Sequence, residues 1–155
     1  MVLRRDVSGI EDFYGLQLAA ARARAEGGEA LLRLVRPSAV EMRRLGMRVP
    51  LQIEVLEGDV LDVAMNEARP GGARVVQGVE FDARGRRANY QLLREHPGEN
   101  VLLPTAMQGS AAVPASEIVH LFRMLRPGQV RGVPDLAPVL MRMRQLDDYE
   151  DATLE

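Results

Sequence analysis

Residues 113–155 read VPASEIVHLFRMLRPGQVRGVPDLAPVLMRMRQLDDYEDATLE. A turn at Pro114-Ala115-Ser116-Glu117 introduces a short apolar strand, Ile118 to Phe122. The loop Arg126-Pro127-Gly128-Gln129-Val130-Arg131-Gly132-Val133 follows, and Pro134 is favourable as the first residue of a final helix. At 100° per residue Leu136, Val139, Leu140, Met143 and Leu146 share one stripe of that helix, and Asp147, Glu150 and Leu154 continue it. A carboxylate on a core-facing line must be paired or solvated, because burying it alone costs several kcal/mol. The pattern predicts a helix that leaves its own core near Leu146 and runs on into water or another chain.

Upstream the periods alternate in the same way. Ser8 and Glu11 have capping-box spacing and predict the start of a first helix. Ile10, Phe13, Tyr14, Gln17, Ala20 and Ala21 fall on one face of it, and Leu16, Leu18, Ala19 and Ala23 cover much of the rest, so little of this helix is expected to face water. Gly27-Gly28 ends it, since glycine adopts the left-handed cap without a Cβ clash. Ala30 to Val35 and Leu51 to Leu56 read as strands bounded by Pro37 and Pro50, with Ser38 to Val49 a loop or short helix between them. Glu57 to Asp62 is a turn, and Asn66 to Arg74 is a loop marked by Pro70-Gly71-Gly72. Val75 to Phe81 and Arg87 to Glu95 form the firmest hairpin, joined at Asp82 to Arg86 where Gly85 supplies a positive φ. Glu95 to Ser110 reads as an excursion with a short extended piece at Val101 to Leu103. The expected fold class is α+β: an N-terminal helix on a mostly antiparallel β-sheet, and a long C-terminal helix extending from the core.

A chain of 155 residues has room for one domain that buries roughly 70% of its unfolded surface. Twenty basic against twenty-two acidic residues give a net charge of -2, which argues against a general nucleic-acid coat, because such a coat needs a basic excess. All twenty basic residues are Arg. Residues 1–50 carry nine Arg against six acids and 101–155 five against seven, an offset that suits a weak polarity between neighbouring subunits. Without cysteine there is no disulfide framework, thiolate nucleophile or Cys-based zinc site. No stretch approaches the ~20 apolar residues that span a membrane, and MVLRRDVSGI lacks a signal peptide's apolar run.

Enzymatic readings find little support. His96 sits beside a Pro-Gly turn and His120 inside the strand, without metal-binding spacing, and His120 reads as a core or strand-surface residue. The cluster Asp147, Asp148, Glu150 and Asp151 can share a helix face, but a helix alone rarely wraps a cation. The glycine pairs match neither a Walker loop nor a dinucleotide fingerprint, and no Ser sits in a nucleophile elbow. Arg123, Arg126 and Arg131 read as a protein contact patch, where the planar guanidinium bridges carboxylates. Three Tyr, three Phe and no Trp offer no platform for stacking bases.

Four runs, in this order, resemble the middle of lambda-type phage portal proteins: DFYGLQLAAARARAEGGEALLRL at 12–34, PLQIEVLEGDVLD at 50–62, GVEFDARGRRANYQLLREHPGE at 78–99, and VPASEIVHLFRMLRPGQVRGVPDLAPVLMRMRQLDDYEDATL at 113–154. The resemblance covers nearly the whole chain, and its most specific parts are the arginine loop and the Leu-Asp-Asp-Tyr-Glu-Asp stretch. It implies a structural subunit of a homo-oligomeric ring, usually dodecameric, at one vertex of the phage head. Double-stranded DNA passes through such a ring, driven by a separate terminase, and head-completion and tail proteins dock on it. The resemblance further implies a virion component assembled in the bacterial cytoplasm, with no catalysis and no cofactor.

Portals of this type are much longer. The 155 residues match the outer wing region as a single domain, with a compact core at about 8–146 and a helix end at 147–155, and without the stem, clip, channel loop and crown. The resemblance therefore does not bring DNA contact to this stretch. Arg126 and Arg131 of one subunit are expected to meet Asp147, Asp148, Glu150 or Asp151 of another. The competing expectations are a small-molecule or peptide-binding α+β module, which requires a concave cavity, and a carboxylate-metal hydrolase built on the acidic cluster.

Overall fold

The computed structural model describes residues 6–98 and 109–154. Its elements run α1 (Phe13–Gly27), β1 (Glu29–Val35), α2 (Ala39–Arg44), β2 (Gln52–Glu57), β3 (Glu67–Ala68), β4 (Arg74–Val76), β5 (Val79–Phe81), β6 (Arg87–Leu93), β7 (Ser110–Pro114), β8 (Ile118–Phe122) and α3 (Ala137–Leu154), with 3-10 turns at Gly58–Val60, Pro70–Gly72 and Ala115–Glu117. The α+β class is as expected. The strands divide between two antiparallel sheets, β2-β1-β8 and β3-β4-β5-β6-β7.

Alternation along β1 explains the layering. Ala30 packs with Ala20 and Ala23 of α1 and with Leu32 and Val55, while Leu31 points the other way, into a core shared with Val79, Phe81, Tyr90, Leu92 and Val113 of the second sheet. Adjacent strand residues face opposite sides, so the small sheet is a middle layer between α1 and the five-stranded sheet. Leu31 and Val79 are fully buried, each contributing about 2–3 kcal/mol by removal from water.

Several local expectations are corrected. α1 is capped by Asp12, whose side chain accepts from the Tyr14 and Gly15 N–H groups. Ser8 instead bonds Asp6, because Gly9 takes a positive φ of 71° that interrupts the turn before a helix can start. A reciprocal capping box does occur, between Ser38 and Glu41 at the head of α2. The expected strand 75–81 is cut in two by Gln77 and Gly78, at φ values of 50° and 78°, a two-residue reversal between β4 and β5. The β5–β6 hairpin follows its reading: Gly85 has a φ of 77°, Asp82 accepts from the Arg84 and Arg86 N–H groups, and the register shifts beside Phe81. The expected extended piece at Val101 to Leu103 lies outside the described residues.

Both long helices are wetter than their sequences suggest. Only Leu16, Ala20 and Ala23 of α1 are buried, and Tyr14 and Leu18 stand 77% and 71% exposed, because a single helix on one sheet covers only one of its own sides. α3 begins at Ala137, with Pro138 in its first turn; Pro134 belongs to the preceding turn, accepting from the Ala137 N–H at 3.1 Å. The stripe of Leu136, just ahead of the helix, with Val139, Leu140, Met143 and Leu146 within it, is exposed throughout. The helix thus leaves the core at its start, nine residues earlier than the switch to acids at Leu146 implies.

Candidate functional site

Three glycines bring the chain together around one carboxylate. Gly28 closes α1 with a φ of 89° and turns the chain so that Glu29 opens β1 on the side facing the second sheet. A Cβ on Gly58 would lie 2.5 Å from the Glu29 carboxylate, and one on Gly132 would lie 2.0 Å from the Gly28 carbonyl oxygen. Only glycine permits these approaches.

Glu29 is 2% exposed. Its Oε2 accepts from His120 Nε2 at 2.9 Å and from the Gly132 N–H at 2.7 Å, and its Oε1 accepts from the Arg131 guanidinium. Burial pushes the carboxyl pKa up, but the hydrogen bonds from His120, Arg131 and Gly132 outweigh it and hold the value at about 2. Arg131 also donates to the Gly58 carbonyl at 2.8 Å. The carboxylate is therefore ionised and fully engaged.

His120 carries the network across to the second sheet. Its Nδ1 faces the Arg87 guanidinium, which only donates, so Nδ1 accepts and Nε2 bears the proton given to Glu29. Burial lowers the imidazole pKa, Glu29 raises it, and Arg87 and Arg131 lower it further. The ring is thus neutral at pH 7. Tyr90 packs edge-on against it at 5.6 Å, and Phe122 lies tilted against it at 4.6 Å. Arg87 donates as well to the Tyr90 hydroxyl and to the Val130 carbonyl, each at 3.1 Å.

The arginine loop is held from inside by the buried Gln129. Its carbonyl accepts from the Leu125 and Arg126 N–H groups, and its amide donates to the carbonyls of Arg123 and Arg131. Gln129, Arg131, Gly132 and Val130 together tie the loop to Glu29 of β1, to Gly58, and through Arg87 to β6. Every acceptor of Glu29 is engaged within the chain, and what the arrangement does chemically is to staple two sheets and fix where α3 departs. The exposed pair Arg24–Asp135, at 2.9 Å, reinforces that departure.

A concavity of about 710 Å³ lies at the margin of the two sheets, lined by Arg33, Glu54, Glu57, Arg94, His96 and Leu92 among others. Ligand atoms of Glu57, Asp59 and His96 lie within 4.8 Å of one another. However, His96 Nδ1 accepts the Gly98 N–H at 3.0 Å, which leaves the proton on Nε2. That nitrogen lies 3.3 Å from Glu57 without satisfying hydrogen-bond geometry. The contact is a loose polar approach, and the tautomer presents a proton where a metal requires a lone pair.

Of the residues expected at a site, Arg123 and Arg126 are exposed on the loop, and Asp147 and Asp148 are exposed on α3. Glu150 and Asp151 are helical, with side chains outside the described set. Arg131 faces inward onto Glu29, its side chain 17% exposed. Among the described side chains Arg126 is not joined to Asp147 or Asp148. Sequence reading passed over Glu29, Arg87 and Gln129; a charged residue heading the apolar run GGEALLRLV was the available signal for the first.

The order α1-β1 followed, some ninety residues later, by β8, the pinned arginine loop and α3 coincides with a known sequence profile: that of phage portal proteins of the lambda family matches residues 3–155. The chain belongs to the lambda family of phage portal proteins. No curated protein matches the chain. As a portal protein it is a virion component of a structural family, which fits a site whose polar groups are all committed to holding a loop. Among the described residues of this portal chain no helix is long and apolar enough to cross a membrane.

Proposed function

We propose that the chain is a structural subunit of a phage or prophage portal ring at the capsid vertex, in the wing region of that ring. The ring serves as the conduit for DNA packaging and ejection and as the docking platform for terminase and head-tail joining proteins. The family match over residues 3–155 carries this reading. The stapled arginine loop supports it, since a subunit under load needs a fixed exit direction for a helix that projects from its core.

In this reading the acids at the end of α3, Asp147 and Asp148 with Glu150 and Asp151, meet arginines of a neighbouring subunit. Arg126 is exposed for such a contact, whereas Arg131 is occupied by Glu29. Assembly takes place in the host cytoplasm before the ring enters the virion. Electron microscopy of the full-length protein tests the reading: rings with a central channel are expected, and particles without a channel would overturn it.

A further inference from the structure

The side chain of His120 is 3% exposed, and charged or titratable groups face it from three elements. Glu29 of β1 accepts the proton of Nε2, Arg131 of the arginine loop lies beyond that carboxylate, and Arg87 and Tyr90 of β6 face Nδ1. On its own strand the ring meets Phe122, which carries no charge. Arg87 links the ring to the loop, because it donates at once to Nδ1, to the Tyr90 hydroxyl and to the Val130 carbonyl. Val130 in turn packs against the core that the two sheets share.

With Nε2 already protonated, a further proton enters the ring at Nδ1. The imidazolium then points an N–H at a guanidinium that has only N–H groups to offer, so two donors and two like charges meet where a hydrogen bond stood. Two arginines, one carboxylate and one imidazolium leave an excess of positive charge in a buried site. One cation has to withdraw.

The surroundings decide which. Arg131 is paired with the Glu29 carboxylate and donates to the Gly58 carbonyl, with its side chain 17% exposed. The groups that accept from Arg87 are all uncharged, and Arg87 is half-buried at the start of β6, beside the exposed turn residues Arg84 and Arg86. Rotation of its own side chain takes its head to water. The Tyr90 hydroxyl stands 3.4 Å from Nδ1, in place to accept the new N–H.

We infer that His120 is an acid-operated latch between the arginine loop and the second sheet: uptake of one proton exchanges its Nδ1 partner from Arg87 to Tyr90, and the departing Arg87 releases the Val130 carbonyl. Glu29 keeps Arg131 and Gly132 on β1 in both states, and its bond to the imidazolium is charge-assisted. The loop therefore parts from β6 while the point where α3 departs stays fixed. Burial lowers the imidazole pKa, Glu29 raises it and the two arginines lower it again, leaving it below the ordinary 6.5. The latch is closed above pH 6.5 and opens as the pH falls through the lower folded-state value. It works within a single chain, whether or not that chain sits in a ring.

Nuclear magnetic resonance of the 155-residue chain tests this. Imidazole nitrogen shifts recorded from about pH 8 down to about pH 4 read the protonation of Nδ1, and amide hydrogen exchange, corrected for its intrinsic pH dependence, reads the loop. As His120 takes up its proton, exchange at Leu125, Arg126 and Gln129, whose N–H groups bond within the loop, is expected to rise at least about tenfold. The Gly132 N–H, held by Glu29, is expected to stay protected. Arg87→Met, which keeps an apolar stem beside the Phe81 and Phe122 rings, should raise the His120 midpoint by about one pH unit and leave the loop in fast exchange at every pH. Tyr90→Phe removes a single oxygen and should lower the midpoint, so it keeps the test open if circular dichroism shows Arg87→Met to be unfolded. In His120→Gln loop exchange should be flat across the range. An imidazole that takes no proton down to about pH 4, a midpoint that fails to rise in folded Arg87→Met or to fall in Tyr90→Phe, or a loop that stays protected throughout would each overturn the inference. So would Gly132 exchanging together with the loop, which marks loss of the whole staple instead of one contact.

Discussion

Replacing Glu29 by Gln keeps the shape of the buried side chain and removes its charge. The fall of the Glu29 pKa from 4.5 to about 2 corresponds to about 3 kcal/mol of folding free energy, at about 1.4 kcal/mol per pH unit. A folded-state pKa below the unfolded one means that this stabilisation is fully present above pH 4.5 and is lost as the pH falls toward 2. The variant lacks it at every pH and also leaves Arg131 without its carboxylate, so about 3–5 kcal/mol is expected to be lost at pH 7. For a chain of 155 residues a loss of 3 kcal/mol lowers the Tm by about 6–12 °C. Urea denaturation of both proteins, followed by circular dichroism at several pH values between 7 and 2, reads the difference directly. Comparing the two cancels the shared titration of the other carboxylates. The gap should be about 3 kcal/mol or more at pH 7 and shrink below about 1 kcal/mol near pH 2, where about half of the native carboxyl is protonated. A gap that stays constant across this range would refute the assignment of the staple to the ionised carboxylate.

The same network makes further predictions. His120 is held neutral with a pKa below its ordinary 6.5, so its contribution is present above pH 6.5 and lost as the pH falls below it. His120→Gln, which can still donate to Glu29 and accept from Arg87, should cost under about 1.5 kcal/mol at pH 7 and flatten stability between pH 6.5 and 5, as read by chemical denaturation. Gly28→Ala, at a φ of 89° and with its new Cβ 2.5 Å from the Val133 backbone, should lose about 2 kcal/mol or more. Gly27→Ala, which meets nothing within 4 Å, should be neutral or slightly stabilising in thermal melts. Gln129→Leu removes an amide that serves four backbone groups. It should cost about 1–3 kcal/mol and raise hydrogen exchange in residues 123–132 before the rest of the chain.

What could be read in advance was local. Gly27-Gly28 closed α1 where the αL preference of glycine placed it, and Asp82 to Arg86 made its hairpin, because turn chemistry acts over four or five residues and needs no distant partner. The failures were local features overruled by their surroundings: Ser8 has capping spacing, yet Gly9 breaks the turn and Asp12 takes the cap. The exposed stripe on α3 was misjudged for a different reason. A periodic apolar face shows that something is to cover a helix but not whether that cover lies within the same chain.

By itself the sequence determined the α+β class, the two long helices, the strands near 30–35, 51–56, 87–95 and 118–122, the turns at Gly28 and at Asp82 to Arg86, and the resemblance to lambda-type portals, since periodicity, turn residues and motif order are properties of neighbours along the chain. Only the tertiary structure decided that the strands form two sheets and that Arg131 turns inward. The pair Glu29 and Arg131 is separated by 102 residues, and no spacing rule links such positions. They meet because α1, β1 and β8 pack in one order, and because glycines at 28, 58 and 132 allow the backbones to close on one charge that burial alone would have neutralised.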